Sequence, residues 1–116
     1  MTTISTERDV ITLVNVFTVK PTEQQRLVDV LAEAAATMKT IHGYVSSNLH
    51  KSLDGTKVVN YVQWESVKDF EAMLGNPEAA PHMREAAGIA ENYEPDLYEV
   101  AFVDEAADAV AGAVAD

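Results

Sequence analysis

The 116-residue chain has no cysteine. Disulfide frameworks, thiolate metal sites and cysteine nucleophiles are thereby excluded. Basic residues are scarce, with Lys and Arg numbering 8 against 19 Asp and Glu, for a formal net charge of −11. Nucleic-acid affinity comes largely from basic side chains that neutralise phosphates, so no nucleic-acid partner is expected. An anionic membrane surface is disfavoured for the same reason. No apolar run approaches the roughly 20 residues that a membrane helix requires. Residues 1–9 contain no apolar stretch of the kind a secretory signal carries, and the expected address is the cytoplasm. Glycine-rich phosphate loops, a G-x-S-x-G elbow and internal repeats are also missing. His42, His50 and His82 fall on three different predicted elements without a carboxylate pair at ligand spacing, so no metal site is expected. The acidic excess, part of it in Asp104, Glu105, Asp108 and Asp116, reads as a solubility feature.

What is present is a regular alternation of strand and helix signals. Residues 1–9 are polar and unpatterned, and are expected to be loose. Residues 10–19, VITLVNVFTV, are dense in β-branched side chains and predict a buried strand that ends at Lys20-Pro21. Thr22 and Gln25 form a capping-box pattern before a helix that places Leu27, Leu31, Ala34, Ala35 and Met38 on one face, with Gly43 as its stop. Two strands, 44–52 and 57–64, flank the turn signal Asp54-Gly55. Ser66 caps a short helix through Leu74, and Asn76-Pro77 starts another that runs to about Gly88. Residues 95–103 predict a last strand in which Leu97, Ala101 and Val103 alternate with polar positions.

The order β-α-β-β-α-β is that of a ferredoxin-like α+β domain: a four-stranded antiparallel sheet with its helices on one face. We assign residues 10–103 to this domain, 1–9 to a flexible leader and 104–116 to an acidic Ala/Val-rich tail. The strands are apolar on both parities, for example Leu13 and Phe17 against Val14 and Val16. Helices cover only one face, so the patterning predicts a homodimer that stacks sheet on sheet.

Function is sought in residues that break the strand rules. Asn15 interrupts the first apolar run, and Asn60 shares a strand face with Trp64 four residues on. Asn is poor in strands, and an unpaired buried amide costs about 1–3 kcal/mol. Amides beside an indole suit a flat ligand that carries carbonyl or phenol groups. Asn48 and His50 depend on the hairpin register. A two-residue turn at Asp54-Gly55 sets His50 opposite Val59, away from Asn60. A three-residue turn over 53–55 sets Asn48 opposite Asn60 and His50 opposite Val58, and then His50, Asn60 and Trp64 share a face. The sequence allows both; the second, which serves a site, is preferred. Arg84 is either the partner of a surface carboxylate (Glu78, Glu85 or Glu91) or a cation aimed at a phenolate, and His82 is either a solvated helix residue or a ligand contact.

Residues 54–66, DGTKVVNYVQWES, resemble the strand of the cofactor-independent anthrone oxygenases, quinone-forming enzymes of aromatic polyketide biosynthesis within the antibiotic biosynthesis monooxygenase family. The likeness extends over residues 11–103 and includes Ile41-His42-Gly43-Tyr44-Val45, which resembles the family's entry to the second strand. The resemblance implies a dimeric α+β barrel with a pocket between each sheet and its own helices. It also implies oxidation of a phenolic polycyclic aromatic to a quinone by O₂ without flavin, haem or metal. Carried over by position, Asn60, Trp64, His50 and Arg84 are the catalytic candidates; Asn15, Asn48, Phe70, His82 and Met73 are taken, apart from that carry-over, as substrate-contacting. Phe70 stands where the anthrone oxygenases have a tyrosine. Haem-degrading enzymes of the same fold offer a second reading. Asn15 and His82 fall at or near their asparagine and histidine, while Met73 occupies the place of their tryptophan. A dimeric small-molecule binder without catalysis is the third.

Overall fold

The computed structural model describes residues 1–107. Four strands form one antiparallel sheet: β1 (Ile11–Thr18), β2 (Tyr44–Lys51), β3 (Lys57–Trp64) and β4 (Asn92–Tyr98), in the order β2-β3-β1-β4. Three helices accompany it: α1 (Gln24–Met38), α2 (Val67–Leu74) and α3 (Ala80–Ile89). This is the ferredoxin-like α+β arrangement that the order of elements predicts.

The boundaries follow from local chemistry. Pro21 fixes the backbone after β1, and a short 3-10 turn, Pro21–Glu23, precedes α1. The capping box expected at Thr22 does not form, since α1 starts one residue later, at Gln24, and its N-cap position, Glu23, makes no side-chain cap bond. Gln25 instead bonds Asp29 and accepts from Lys51. Leu27, Val30, Leu31 and Ala34 form the buried stripe of α1. Ser66 caps α2 as expected, its Oγ accepting from Asp69 N. The second helical segment begins later than the Asn76-Pro77 signal. Asn76 Oδ1 accepts from Glu78 N and closes a turn, and regular helix starts at Ala80.

The last strand is shifted towards the N-terminus of its predicted span, covering Asn92–Tyr98, so Ala101 and Val103 lie beyond it. Pro95 sits in its middle, opposite Asn15. β4 is an edge strand, where a residue without an N–H is tolerated, and a proline there does not mark a strand start. Thr2 and Thr3 contact the sheet ahead of β1. They lie along the sheet face away from the helices, where Thr2 Oγ1 donates to Asn48 Oδ1 and Gln63 Nε2 donates to Thr3 O. Of the acidic tail, Asp108 and Asp116 lie outside the described residues.

The hairpin joining β2 and β3 corrects the preferred register. His50 pairs with Val59 and Leu49 with Asn60. Ser52 N donates to Lys57 O, leaving residues 53–56 as a four-residue loop. Asp54 Oδ1 organises that loop by accepting from Thr56 N, Thr56 Oγ1 and Ser52 Oγ. These bonds hold its carboxyl down at about 2, the largest contribution coming from the Thr56 backbone. Within the loop Gly55 alone takes a positive φ, 82°, so the type I′ two-residue turn, which needs two such residues, is not formed. Four loop residues have the parity of two, and strand faces follow parity.

The helix-facing side of the sheet carries two buried apolar clusters. One contains Phe17, Leu27, Leu31 and Val58, the other Val62, Trp64, Met73 and Ala79. Between Phe17 and Leu13 on β1 stands Asn15, and between Val58 and Val62 on β3 stands Asn60. The core is therefore interrupted at its centre by a pair of amides.

Candidate active site

Asn15 and Asn60 are directly opposed across β1 and β3. Opposed residues have Cβ atoms about 4.5–5.5 Å apart, so the two amides sit side by side on the sheet floor. A cavity of about 530 Å³ opens above them, between the sheet and its helices. That is the size of an ordinary small-molecule site. Phe17, Leu31, Met38, Val62, Trp64, Phe70, Met73 and Met83 make most of its wall apolar, and Asn15, Asn60, Ser47 and His82 supply polar groups.

Three buried polar atoms on this wall have no partner in the protein: Asn15 Oδ1, Asn60 Oδ1 and Trp64 Nε1. The fourth such atom among the described residues, Thr12 Oγ1, belongs to the opposite sheet face. Buried polar groups are nearly always bonded, and orphans left in one place call for a partner. Here two acceptors and one donor face a common space. A ligand that carries hydroxyl hydrogens and a carbonyl or oxyanion would satisfy all three.

Trp64 is 1% exposed and held by its neighbours. Its ring meets Tyr44 edge-on at 5.8 Å and Phe70 at 6.3 Å. Tyr44 reaches this face through a register shift between Tyr44 and Ser46, which leaves Val45 unpaired. The ring is thus fixed by aromatic packing while its N–H stays free, which is preorganisation of a donor.

The cavity collects Asn15, Asn60, Trp64, Phe70, Met73 and His82 from the candidates. It does not collect three others. His50 is exposed and on the far face of the sheet, because the four-residue loop pairs it with Val59. Asn48, opposite Tyr61, lies on that same far face and bonds Thr2 and the Tyr61 carbonyl. Arg84 is exposed and has no ion-pair partner among the described residues. On α3 the cavity takes His82, Met83, Ala86 and Ala87, a helical stripe from which position 84 is turned away.

Two contributors escaped sequence reasoning. Thr37 Oγ1 lies 3.0 Å from His82 Nε2 and ties α1 to α3 at the cavity wall. The available signal was a hydroxyl beside Ala34 and Met38 on an otherwise apolar helix stripe. Tyr93 lines the cavity from β4, in a segment read as preceding the strand. The fold brings His42, Glu65 and Asp69 ligand atoms within 4.8 Å of one another, on exposed His42 and Glu65 and a half-buried Asp69 that is already engaged by Ser66.

Among the described residues, no helix is long and apolar enough to cross a membrane. A sequence profile described as antibiotic biosynthesis monooxygenase matches residues 10–87. Tetracenomycin-F1 monooxygenase of Streptomyces glaucescens is 46% identical over 83 residues, spanning 71% of this chain and 74% of that protein. The crystal structure of SnoaB, a cofactor-independent oxygenase from Streptomyces nogalater, superposes with a TM-score of 0.71 at 26% identity, covering 82% of this chain and 96% of that one. The monooxygenase ActVA-Orf6 of Streptomyces coelicolor, solved with nanaomycin D, superposes with a TM-score of 0.74 at 26% identity, covering 84% and 92% respectively.

Proposed function

The chain belongs to the antibiotic biosynthesis monooxygenase family and is a monooxygenase, and we propose that it oxidises a phenolic polycyclic aromatic to a quinone with O₂ and no cofactor. The observation that carries this reading is the convergence of Asn15 Oδ1, Asn60 Oδ1 and Trp64 Nε1, all without partners, on one apolar cavity. Phenol hydroxyls satisfy the amide oxygens, and the indole N–H meets an oxygen that gains negative charge. The cofactor-independent description of SnoaB and the monooxygenase name of the 46% identical relative support the same chemistry.

The reaction converts a methylene carbon to a carbonyl: R₂CH₂ + O₂ gives R₂C=O + H₂O. Loss of a proton from the activated carbon leaves a carbanion that is delocalised onto the ring oxygens. An electron passes from it to O₂, and recombination forms a C–O bond to a peroxide. Protonation of the peroxide, loss of the remaining C–H proton and departure of hydroxide then give the ketone and water. The substrate supplies the reducing electrons, so the protein's share is electrostatic. Trp64 Nε1–H and the Asn60 amide act as preorganised donors to the developing oxyanion, a type of contribution worth about 2.7–4 kcal/mol per donor. The apolar wall of methionines and aromatics excludes water and strengthens those bonds. Asn15 fixes the orientation of the ring, and Phe70 and Met73 stack against it.

Twofold stacking through the sheet face that bears Val14, Val16, Val59 and Tyr61 is part of the proposal, since these half-buried side chains have no helix above them. The haem reading finds less support, because His82 Nε2 is bonded to Thr37 rather than free.

O₂ uptake measured against a panel of hydroxylated anthrones and naphthols, with and without chelator, tests the proposal. One O₂ consumed per quinone formed, unchanged by chelator and slowed about a hundredfold or more in Asn60→Ala and Trp64→Phe, is the expected result. Tight binding of the aromatics with no O₂ uptake would favour a binding protein instead.

A further inference from the structure

The cavity as described holds donors and an apolar wall, but the reaction also needs a proton acceptor. His50, the imidazole among the catalytic candidates, is put on the other face of the sheet by the hairpin register. The titratable side chains that remain among the lining residues are His82, Tyr93 and Asp96. Asp96 pairs with Val14, which directs its side chain to the far face, and its Oδ1 already accepts from Leu97 N. Tyr93 is half exposed at the edge strand, and a phenol is a poor base at neutral pH. Amides and indole do not accept protons at all.

His82 differs on each count. It is half buried, lines the cavity and is anchored at one nitrogen, Nε2 standing 3.0 Å from Thr37 Oγ1. The other nitrogen, Nδ1, bonds nothing among the described residues. With Nε2–H donating to the threonine oxygen, the Nδ1 lone pair is the open position of the ring. A base oriented by a third group through its distal nitrogen is the arrangement that proton abstraction requires. The carboxylates one helical turn from Thr37 and His82, Glu33 on α1 and Glu85 on α3, are exposed, as is Glu78 just before α3, and none bonds the ring.

We propose that His82 takes the proton from the bound phenol or methylene carbon, with Thr37 as its positioning residue; this rests on the oxygenase reading above and supplies its first step. The O–H or C–H bond breaks with its electron pair left on the substrate. The proton passes to Nδ1, and the imidazolium so formed keeps its Nε2–H bond to Thr37.

A dye that reports its own ionisation separates this step from the oxidation. The protein is titrated with a hydroxyanthraquinone held about one unit below its solution pKa, where phenol and phenolate absorb at different wavelengths. Binding is followed independently by quenching of Trp64, the single tryptophan of the chain. The parent protein is expected to bind the dye and raise its ionised fraction. His82→Gln keeps an amide for Thr37 and is expected to bind the dye within about threefold while losing about tenfold of the ionisation; Thr37→Val falls between. Equal ionisation in the parent and His82→Gln overturns the inference, as does binding to the parent without ionisation. Should His82→Gln fail to fold, an unchanged ionised fraction in Thr37→Val overturns it in its place. Dye ionised by His82 in a protein that never takes up O₂ would remove the oxidation and leave the proton transfer standing. Absence of dye binding removes both.

Discussion

Replacement of Asn60 by leucine is expected to make the ligand-free protein more stable while abolishing the site. Asn60 Oδ1 is buried without a partner, and an unsatisfied buried acceptor costs about 1–3 kcal/mol. Leucine removes that cost, has the higher strand preference and has the cavity itself to expand into. Against these gains stands only the slightly greater bulk of two methyl groups on a side chain of the same branching, so a net gain of about 1–2 kcal/mol is expected. At roughly 4 °C per kcal/mol for a domain of this size, the unfolding midpoint rises by about 4–8 °C. Thermal and urea unfolding of the parent, Asn60→Leu, Asn15→Leu and the double variant measure it. The double variant carries a second test. If the opposed amides were bonded to each other, a single replacement would orphan the partner and destabilise, and the second would recover the loss. Separate orphans predict two gains that nearly add. A destabilised Asn60→Leu, or recovery only in the double variant, would refute the reasoning that these amides are held open for a ligand. Stability exchanged for activity at a single residue is what an active-site polar group should show.

The two charged candidates outside the cavity give a negative expectation: His50→Ala and Arg84→Ala should leave O₂ uptake within about twofold and stability within about 0.5 kcal/mol of the parent, since both are exposed. A loss of activity in either would mean that a partner subunit or a rearranged helix brings that residue to the substrate. Asp54 should titrate far below the usual carboxylate range, at about 2, because Thr56 and Ser52 bond its ionised form. A depressed folded-state value means that the turn's contribution is present above the unfolded value of about 3.9 and is lost as pH falls through about 2. Carboxyl NMR titration of the hairpin reads it directly, and Asp54→Ala should flatten that response.

The fold was legible because its signals are local and agree with one another. The strand at 57–64 was read to the residue, and Ser66 capped the helix it was expected to cap. Asn15 and Asn60 were legible as residues of the cavity wall because each broke a rule of the strand that carries it, and Trp64 because its spacing puts it on the face of Asn60. Errors arose where one side chain or one neighbouring strand decided the outcome. Asp54 gathered Thr56 into the turn and moved the loop from three residues to four, which turned His50 and Asn48 to the far face. Pro95 looked like a strand start because nothing in its neighbourhood says that the strand lies at an edge.

That one hairpin parity has a consequence for how the site is built. With His50 in the cavity, β2, β3 and α3 would each supply a reactive side chain. With His50 outside, the sheet contributes only groups that hydrogen-bond, the two amides of β1 and β3 and the indole at the end of β3. The titratable ring comes instead from α3 and is steadied from α1. Sheet and helices thus divide the work. In the proposed mechanism the four-stranded floor fixes where charge is stabilised, and the helical roof carries the group whose protonation changes. The Thr37–His82 bond is the one side-chain hydrogen bond between α1 and α3 among the described residues, beside the apolar packing of Ala86 on Leu27 and Leu31. On the proposed mechanism an entering ligand therefore meets a proton acceptor already turned by Thr37, and the imidazolium formed there keeps that bond.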